Sequence, residues 1–329
     1  MRVLLTGSSG WLGRHLAPLL EAGGHAVTGL DVVPGAATAI VGSVADRALV
    51  DQVFAHHGIE AVIHAGALHK PDIARFPRQA FVAVNVTGTL NLLEAAAAAG
   101  HRRFVFTSTT SLMVRDDVRA GAGPAGAWWM DEDFGPVAPR NVYGITKRTG
   151  EEMCRLVSRE SGMAVAILRT GRFFPEDDDT QAVPSGPNLK ANEFLHRRLT
   201  VEDAARAHLA ALERIAGCET FVLSAPPPFT RDDAAALAKD ARTVIRRRLP
   251  EAEALYARAG WILPERIERV YDPAKAERLL GWRARTDFAA ILAALRDGRP
   301  MPFAHDPGWT SPVLGAGGAE PCRDTGTTA

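Results

Sequence analysis

The first half of the chain alternates short apolar runs with stretches in which apolar residues recur at helical spacing. Apolar residues stand on consecutive positions within 2–6, 61–65 and 103–107, as expected of parallel strands that are covered on both faces. Helical spacing follows at residues 11–22 and 80–99. This order predicts an α/β fold built on a Rossmann-type, doubly wound parallel sheet.

The pattern divides the chain into two main parts. Further strands are expected at 26–31, 39–42 and 164–169, and further helices at 46–57 and 141–161. Beyond Phe174 the rhythm breaks, and 175–191 resembles a loop over a cleft. We expect a Rossmann domain in residues 1–174 and a smaller C-terminal substrate-binding lobe in 175–304, with elements that return to the sheet. Residues 305–329, rich in Gly, Pro and Thr, are expected to form a disordered tail.

Three glycines directly follow the first predicted strand, at positions 7, 10 and 13 of the run TGSSGWLG. Glycine allows the sharp turn and the close approach of a pyrophosphate to the backbone, and the following helix start offers free N–H groups. The sequence therefore predicts a dinucleotide site at this turn. Its expected members are Gly7, Ser9, Gly10, Trp11, Leu12 and Gly13.

Asp31 ends the second predicted strand, 18 residues after Gly13. A carboxylate at this place accepts hydrogen bonds from both ribose hydroxyls but repels a 2′-phosphate. The residues that follow, Val32-Val33-Pro34, supply no arginine to neutralise such a phosphate. The predicted cofactor is therefore NAD rather than NADP.

Tyr143 and Lys147 are four residues apart on a predicted helix, so both project from one face. We expect the ammonium group to lower the pKa of the phenol, which then exchanges a proton with a substrate hydroxyl. Five hydroxyl residues, 107–111, end a predicted strand, where ligands of such sheets bind. One of these hydroxyls is expected to hold the substrate oxygen opposite the tyrosine.

The composition excludes several classes of protein. Lys+Arg and Asp+Glu are both 38, so no basic excess indicates a nucleic acid partner. Three scattered cysteines without a CxxC pair suggest a reducing, cytoplasmic location without disulfides or a metal site. No signal peptide or 18-residue apolar run is evident, so we expect no membrane partner.

Taken together, these features resemble the extended short-chain dehydrogenases/reductases, the superfamily of NAD-dependent sugar epimerases and dehydratases. The resemblance covers roughly residues 1–295 and rests on these segments: TGSSGWLG at 6–13, Asp31, HAGA at 64–67, NVTGT at 85–89, FVFTSTTS at 104–111, Tyr143 with Lys147, Leu168-Arg169, LTVED at 199–203 and LGW at 280–282. The resemblance implies that Thr109 is the catalytic hydroxyl, Tyr143 the acid/base and Lys147 its ribose-binding partner.

The same resemblance implies a cofactor cleft and a neighbouring substrate pocket. The expected cofactor residues are Ala65, Gly66, Ala67, Asn85, Thr107 and Arg169, together with Ser43 and the Val44 backbone at the adenine. Ser43 stands where the family often has an aspartate. The candidate substrate residues are His69, Lys70, Ser108, Thr110, Ser111, Arg172 and Arg197.

The residues after Thr109 narrow the reaction. Dehydratases of the family resemble one another in carrying Thr-Asp-Glu at this place. Here Thr109 is followed by Thr110-Ser111, which offers no carboxylate for the elimination of water. What remains is the reversible oxidation of a secondary alcohol on a sugar or nucleotide sugar, with a 4-epimerase as the main expectation. The alternatives are a simple dehydrogenase that releases NADH, an inert NAD-binding regulator, and an enzyme for a steroid-like alcohol.

Two further expectations concern surfaces. The resemblance implies a homodimer through the Tyr143 helix and the preceding helix, with Met153, Leu156, Val157 and residues 92–99 at the interface. Trp128 and Trp129 either stack on a sugar ring or pack against the sheet. The arginines at 242 and 246–248 either clamp a diphosphate or form a solvated helix face.

Overall fold

The structure, a computed structural model, describes residues 1–177, 183–184 and 186–312. Within these residues the strands are β1 (Arg2–Thr6), β2 (Ala26–Asp31), β3 (Ile40–Val41), β4 (Ala61–His64), β5 (Arg103–Thr109), β6 (Trp128–Met130), β7 (Ala164–Thr170), β8 (Cys218–Leu223) and β9 (Arg269–Tyr271). The α-helices are α1 (Trp11–Ala22), α2 (Arg47–His57), α3 (Arg78–Phe81), α4 (Gly88–Ala98), α5 (Asp116–Ala120), α6 (Val142–Ser161), α7 (Gly186–Glu193), α8 (Val201–Arg214), α9 (Ala234–Arg248), α10 (Ala252–Arg258), α11 (Ala274–Leu280) and α12 (Phe288–Asp297).

The predicted doubly wound parallel sheet is confirmed. In the described residues it has seven strands in the order β3-β2-β1-β4-β5-β7-β8, and every pairing is parallel. β8 pairs with β7 and forms one edge of the sheet. β6 and β9 form a separate two-stranded sheet.

Alternation along the strands builds one apolar core on each face of the sheet. In β1, Leu5 packs with the residues of α1 and α8, whereas its neighbour Leu4 packs with those of α2, α4 and α6. Strands buried on both faces need apolar residues at consecutive positions, which explains the runs in the sequence. The strand order reverses between β1 and β4, and ligands of such sheets bind in the crevice at this reversal. We refer to the crevice at the carboxyl ends of β1, β4 and β5 as the cleft.

Some elements differ from the sequence expectation. The helix expected at 80–99 consists of α3, a π-helical segment (Val82–Thr87) and α4. The run Arg78–Ala98 is long and apolar enough to span a membrane, with mean hydropathy 1.3, but half of its most apolar window is buried in the fold. The core helix of a soluble protein meets the same criteria, so this run is not assigned to a membrane.

The end of the described chain packs onto both lobes. We refer to residues 299–312 as the C-terminal segment. The backbone N–H of Asp306 donates to the carbonyl of Pro175 at 2.9 Å, and the Trp309 ring lies 5.8 Å from Trp11 and 5.5 Å from Phe174. A disordered tail was expected from residue 305, but residues 305–312 make these contacts. Residues 313–329 lie outside the described part of the chain.

Candidate active site

The glycine turn between β1 and α1 has no room for side chains. Gly7 has φ +73°, and a Cβ there would lie 2.7 Å from the backbone nitrogen of Gly66. A Cβ on Gly13 would overlap the carbonyl oxygen of Gly7. Gly10 is the N-cap of α1, so the first N–H groups of the helix point out of the turn. This bare backbone fits the pyrophosphate of a dinucleotide.

A buried histidine at the end of β4 joins β1 to α4. His64 contacts the hydroxyl of Thr6 through Nδ1 at 2.7 Å and the hydroxyl of Thr89 through Nε2 at 3.0 Å. The Thr6 hydroxyl also accepts from the N–H of Gly66 at 3.1 Å. Burial lowers the pKa of His64 to about 3, so the ring is neutral and structural. The HAGA segment thereby places the partly exposed Ala65, Gly66 and Ala67 along the cleft.

Asp31 lies beside the glycine turn, as the sequence predicts. Its carboxylate accepts hydrogen bonds from the backbone N–H groups of Ser9 and Val33, both at 3.0 Å. Ser9 in turn donates its hydroxyl to the carbonyl of Val33. Each carboxylate oxygen keeps a further lone pair, so the group is suited to the two hydroxyls of a ribose. Burial raises the pKa of Asp31 despite these bonds.

The expected adenine side of the cleft has a mixed outcome. Ser43 is half-buried, and its hydroxyl accepts from the N–H of Ala45 at 3.2 Å. The Val44 carbonyl accepts from the amide of Asn91 at 3.0 Å. Leu12 is buried in the core below α1. Ser43 is thus placed to contact a ligand, whereas Leu12 and the Val44 side chain support the cleft from beneath.

Thr109 and Tyr143 meet at the end of β5. The Thr109 side chain is close enough to the Tyr143 phenol to act on its pKa, and α6 begins at this point because the side chain of Asn141 caps the N–H of Gly144 at 2.9 Å. Burial raises the pKa of Tyr143 to about 12, although the Thr109 hydroxyl opposes the rise. The expectation of a lowered pKa is therefore wrong for the protein without its cofactor.

Lys147 explains this result. Its Nζ donates to the carbonyl of Thr107 at 2.7 Å, and its charge acts on the histidines at 64 and 69. Lys147 is absent from the groups that shift the Tyr143 pKa among the described residues. Burial lowers the pKa of Lys147 itself to about 8. An ammonium group held at a strand end in this way is available to a ribose of the cofactor.

Asn85 organises the floor of the site. The π-helical segment turns its amide inward, where it donates to the Leu68 carbonyl at 2.8 Å and to the Thr146 hydroxyl at 3.1 Å. Its oxygen accepts from the N–H of Leu68 at 2.9 Å. Asn85 was expected to contact the cofactor, and in the structure it ties the loop after β4 to α6.

Several expected site residues point away from the cleft. Ser108 donates to Glu151 at 2.7 Å, and Arg169 binds both oxygens of the same carboxylate at 3.0 and 2.8 Å. The Thr107 hydroxyl bonds His208 instead of a ligand, at 2.8 Å. Thr110 is likewise turned inward, toward the carbonyl of Thr170 at 3.2 Å. The assignment of these side chains to cofactor or substrate is corrected accordingly.

The remaining candidate substrate residues are scattered. His69 lies beside the Tyr143 region, Ser111 is half-buried next to Thr109, and Lys70 is exposed. Arg197 is bound to Glu193 at 2.9 Å, and Arg172 donates to the carbonyl of Asp177 at 3.3 Å. Of these residues, Ser111 contacts the Thr109 hydroxyl through its backbone N–H at 3.1 Å, and His69 stacks on Phe174.

For the tryptophan pair and for the arginines of α9, the structure favours a structural role over contact with a ligand. Trp128 and Trp129 form β6 and donate their indole N–H groups to the Gly121 carbonyl and to Asp272. The arginines of α9 form surface ion pairs: Arg246 with Glu253, and Arg247 and Arg248 with Asp233. No group of three His, Cys, Asp or Glu side chains that could hold a metal ion is present within the described ranges.

The sequence analysis missed three aromatic or acidic neighbours of the cleft. Phe174 stacks on His69 with ring centroids 4.9 Å apart, and Trp309 covers both Phe174 and Trp11. Asp72 is fully buried, and its charge raises the Tyr143 pKa. No spacing rule identifies these residues, because each is brought to the site by a loop or by the C-terminal segment.

A glycine cradle, an acid at the end of β2 and a Thr–Tyr–Lys set at the end of β5 together define a dinucleotide-dependent enzyme of the short-chain dehydrogenase/reductase type. Residues 3–188 match the family described as the NAD dependent epimerase/dehydratase family, and the chain belongs to that family. The predicted superfamily and its NAD dependence are confirmed at this level.

Relatives of known activity differ in their reactions. The chain is 28% identical to a UDP-glucose 4-epimerase of Rhizobium meliloti (strain 1021), over 88% of the chain and 94% of that enzyme. It is 31% identical to a 3-diazoavenalumate denitrifying reductase of Streptomyces sp, over 86% and 96%. With other curated relatives the alignment spans about half their length, 48% and 49% in two cases.

A solved structure is similar over nearly the whole chain. It is a short-chain dehydrogenase/reductase superfamily protein from Agrobacterium tumefaciens with bound NAD. The TM-score is 0.63 and the identity 27%, over 91% of this chain and 98% of that one.

Proposed function

We propose that the protein is an NAD-dependent sugar epimerase of the 4-epimerase type, acting on a secondary alcohol of a sugar or nucleotide sugar. The observation that carries this proposal is the proximity of Thr109, at the end of β5, to Tyr143, at the start of α6, beside the glycine cradle. The similarity to the Rhizobium meliloti epimerase over 88% of the chain supports the sugar substrate.

The chain's own residues do the proton chemistry. NAD, when bound, supplies the acceptor and donor of hydride. Thr109 and Tyr143 would hold the substrate oxygen between them, and Tyr143 in its phenolate form takes the proton as the carbinol is oxidised and returns it on reduction. Asp31 and Lys147 would bind the two riboses, and the glycine turn would bind the pyrophosphate.

A simple dehydrogenase or reductase is the second candidate function. The Streptomyces reductase supports it, because the alignment covers 96% of that enzyme at 31% identity. The two candidates share the proton chemistry and differ in whether the hydride returns to the same molecule. The intact Thr109, Tyr143 and Lys147 set argues against an inert regulator.

One assay separates the candidates. The protein is incubated with NAD and a panel of sugars, UDP-sugars and one steroid alcohol, and both NADH absorbance and product identity are followed. Epimerisation gives product without net NADH, whereas a dehydrogenase accumulates NADH. Tyr143→Phe is expected to lower turnover by roughly 10²–10⁴-fold. The matched control is Tyr256→Phe, which removes a hydroxyl from a buried tyrosine of the other lobe and leaves turnover unchanged.

We also propose a homodimer, through an interface that differs from the one expected from the sequence. Val157 belongs to the core, and residues 95 and 96 are also buried, so they cannot form a contact surface. Ile145 and Leu156 are instead 53% and 42% exposed and lie on one face of α6. We expect Leu156→Glu to convert a dimer to monomers in light scattering, while Leu279→Glu, at a site 47% exposed on α11, does not. A wild-type monomer at micromolar concentration would refute the dimer.

The boundary near residue 174 and a cytoplasmic location also remain proposals. Cys154 and Cys218 are unpaired in the described part of the chain, and Cys322 lies outside it. Free thiols support a reducing compartment.

A further inference from the structure

A buried acid and a histidine form a compact unit packed against α6, the helix that carries Tyr143. His69 precedes a short 3-10 helix, Lys70–Ala74, that packs against α6. The carboxylate of Asp72 is fully buried and accepts from the backbone N–H of His69 at 2.8 Å. Arg75 Nη1 lies 3.5 Å from the other carboxylate oxygen. The unit is therefore fixed by its own helix turn and by an ion pair.

This unit has a fixed position relative to Tyr143. Asn85 bonds the N–H and the carbonyl of Leu68 and also the hydroxyl of Thr146, which ties the residue before His69 to the first turns of α6. The electrostatic effects agree with this placement, because the charge of Asp72 acts on the phenol. The unit is thus held against the first turns of the helix that carries Tyr143.

The imidazole of His69 has one unused polar atom. The ring stacks on Phe174, with centroids 4.9 Å apart and an angle of 17° between the planes. Its Nε2 is buried and has no hydrogen-bond partner among the residues that the structure describes, and it lies 3.7 Å from Asp72 Oδ2. A buried polar atom without a partner costs free energy, which a hydrogen bond from a ligand recovers.

We propose that His69 is a specificity-determining residue whose Nε2 hydrogen-bonds a second substrate hydroxyl, adjacent to the carbinol held by Thr109 and Tyr143. Asp72 is the positioning residue that holds the ring in place. The inference rests on the proposed function and narrows its substrate class to vicinal diols, as found in sugars. A steroid-like alcohol with a single hydroxyl leaves the Nε2 of His69 without a hydrogen-bond partner and is disfavoured as a substrate.

The test compares two probes that differ by one hydroxyl, cis-cyclohexane-1,2-diol and cyclohexanol, on the protein loaded with NAD. Binding is followed through the imidazole ¹⁵N signals, and His69 is assigned from its variants. The wild type is expected to bind the diol about tenfold more tightly, the factor of one modest hydrogen bond, with a shift of the His69 signal. His69→Phe keeps the stacking on Phe174 and abolishes the preference, and His69→Gln restores part of it.

The control is His25→Phe, which removes another buried imidazole, beside Glu213 and far from the cleft, and leaves the diol preference intact. The absence of a diol preference in the wild type, or its persistence in His69→Phe, overturns the proposal. These outcomes are separate from the proposed function, because failure of every alcohol in the turnover panel would refute that function without changing the measured probe preference.

Discussion

Tyr143 is expected to stay protonated at pH 10 in the protein without cofactor. Burial raises its pKa to about 12, so about 1% of the phenol is ionised at pH 10, compared with half for an ordinary tyrosine. Bringing the pKa down to pH 8 takes about 4 units, or about 5 kcal/mol of preferential stabilisation of the phenolate. The positive charge of an oxidised nicotinamide ring and a displaced Lys147 are the sources available for it.

The assay is a spectroscopic titration at 295 nm. The chain has three tyrosines, so the difference between the wild type and Tyr143→Phe isolates one phenol. We expect almost no tyrosinate from Tyr143 at pH 10 without NAD and a clear signal at lower pH with saturating NAD. Thr109→Val removes the hydroxyl that lowers the pKa of Tyr143 and suppresses the signal further.

Half-ionisation of Tyr143 at or below pH 10 without NAD would show that Lys147 already acts on the phenol. The mechanism would then need no cofactor charge, and the argument from burial would be refuted. An alkaline limb of turnover that is unchanged in Lys147→Met would instead place the remaining stabilisation on the cofactor alone.

Three more outcomes follow from the structure. Glu151→Gln leaves Arg169 buried without its charge partner and should lower the free energy of unfolding by about 3–5 kcal/mol in urea, whereas the exposed Glu152→Gln changes it by less than about 0.5. Burial opposes ionisation of Glu151, but Arg169 outweighs it and lowers the pKa, so this stabilisation is present above pH 4.5 and is lost as the pH falls further. Asp31→Ala should weaken NAD by about 1–3 kcal/mol in calorimetry and narrow the preference over NADP; equal affinities in the wild type would contradict the assignment. Trp309→Ala should accelerate NADH release about 2–10-fold in stopped flow, from the loss of its aromatic contacts; an unchanged rate would show that the segment does not cover the cofactor.

The sequence was informative where backbone geometry alone determines the residue type. Glycine is required at positions 7 and 13 because a Cβ at either would lie within 3 Å of backbone atoms. The spacing of these glycines therefore predicts the turn and the helix that follows. Thr109 and Tyr143 were predicted to meet because parallel strands and the next helix share one edge of the sheet. These features are local in sequence or follow from the βα order.

The errors came from side-chain direction and from distant contacts. Residues 107–111 all carry hydroxyls, but alternation turns Ser108 toward α6 and Thr107 toward α8, so only some of them reach the cleft. Lys147 shares a helix face with Tyr143, yet its Nζ bonds a strand carbonyl. Asp72 gave no signal, because it lies on a short 3-10 helix in the loop after β4, which no apolar spacing predicts.

The position of the C-terminal segment affects the order in which contacts form during synthesis. The cradle, Asp31 and the catalytic hydroxyls all lie within the first 147 residues, so they are translated before Trp309. Because N-terminal parts of a chain fold first during synthesis, the glycine turn can form before Trp309 reaches Trp11. The contact between these two rings is therefore among the later ones to form as the chain is made.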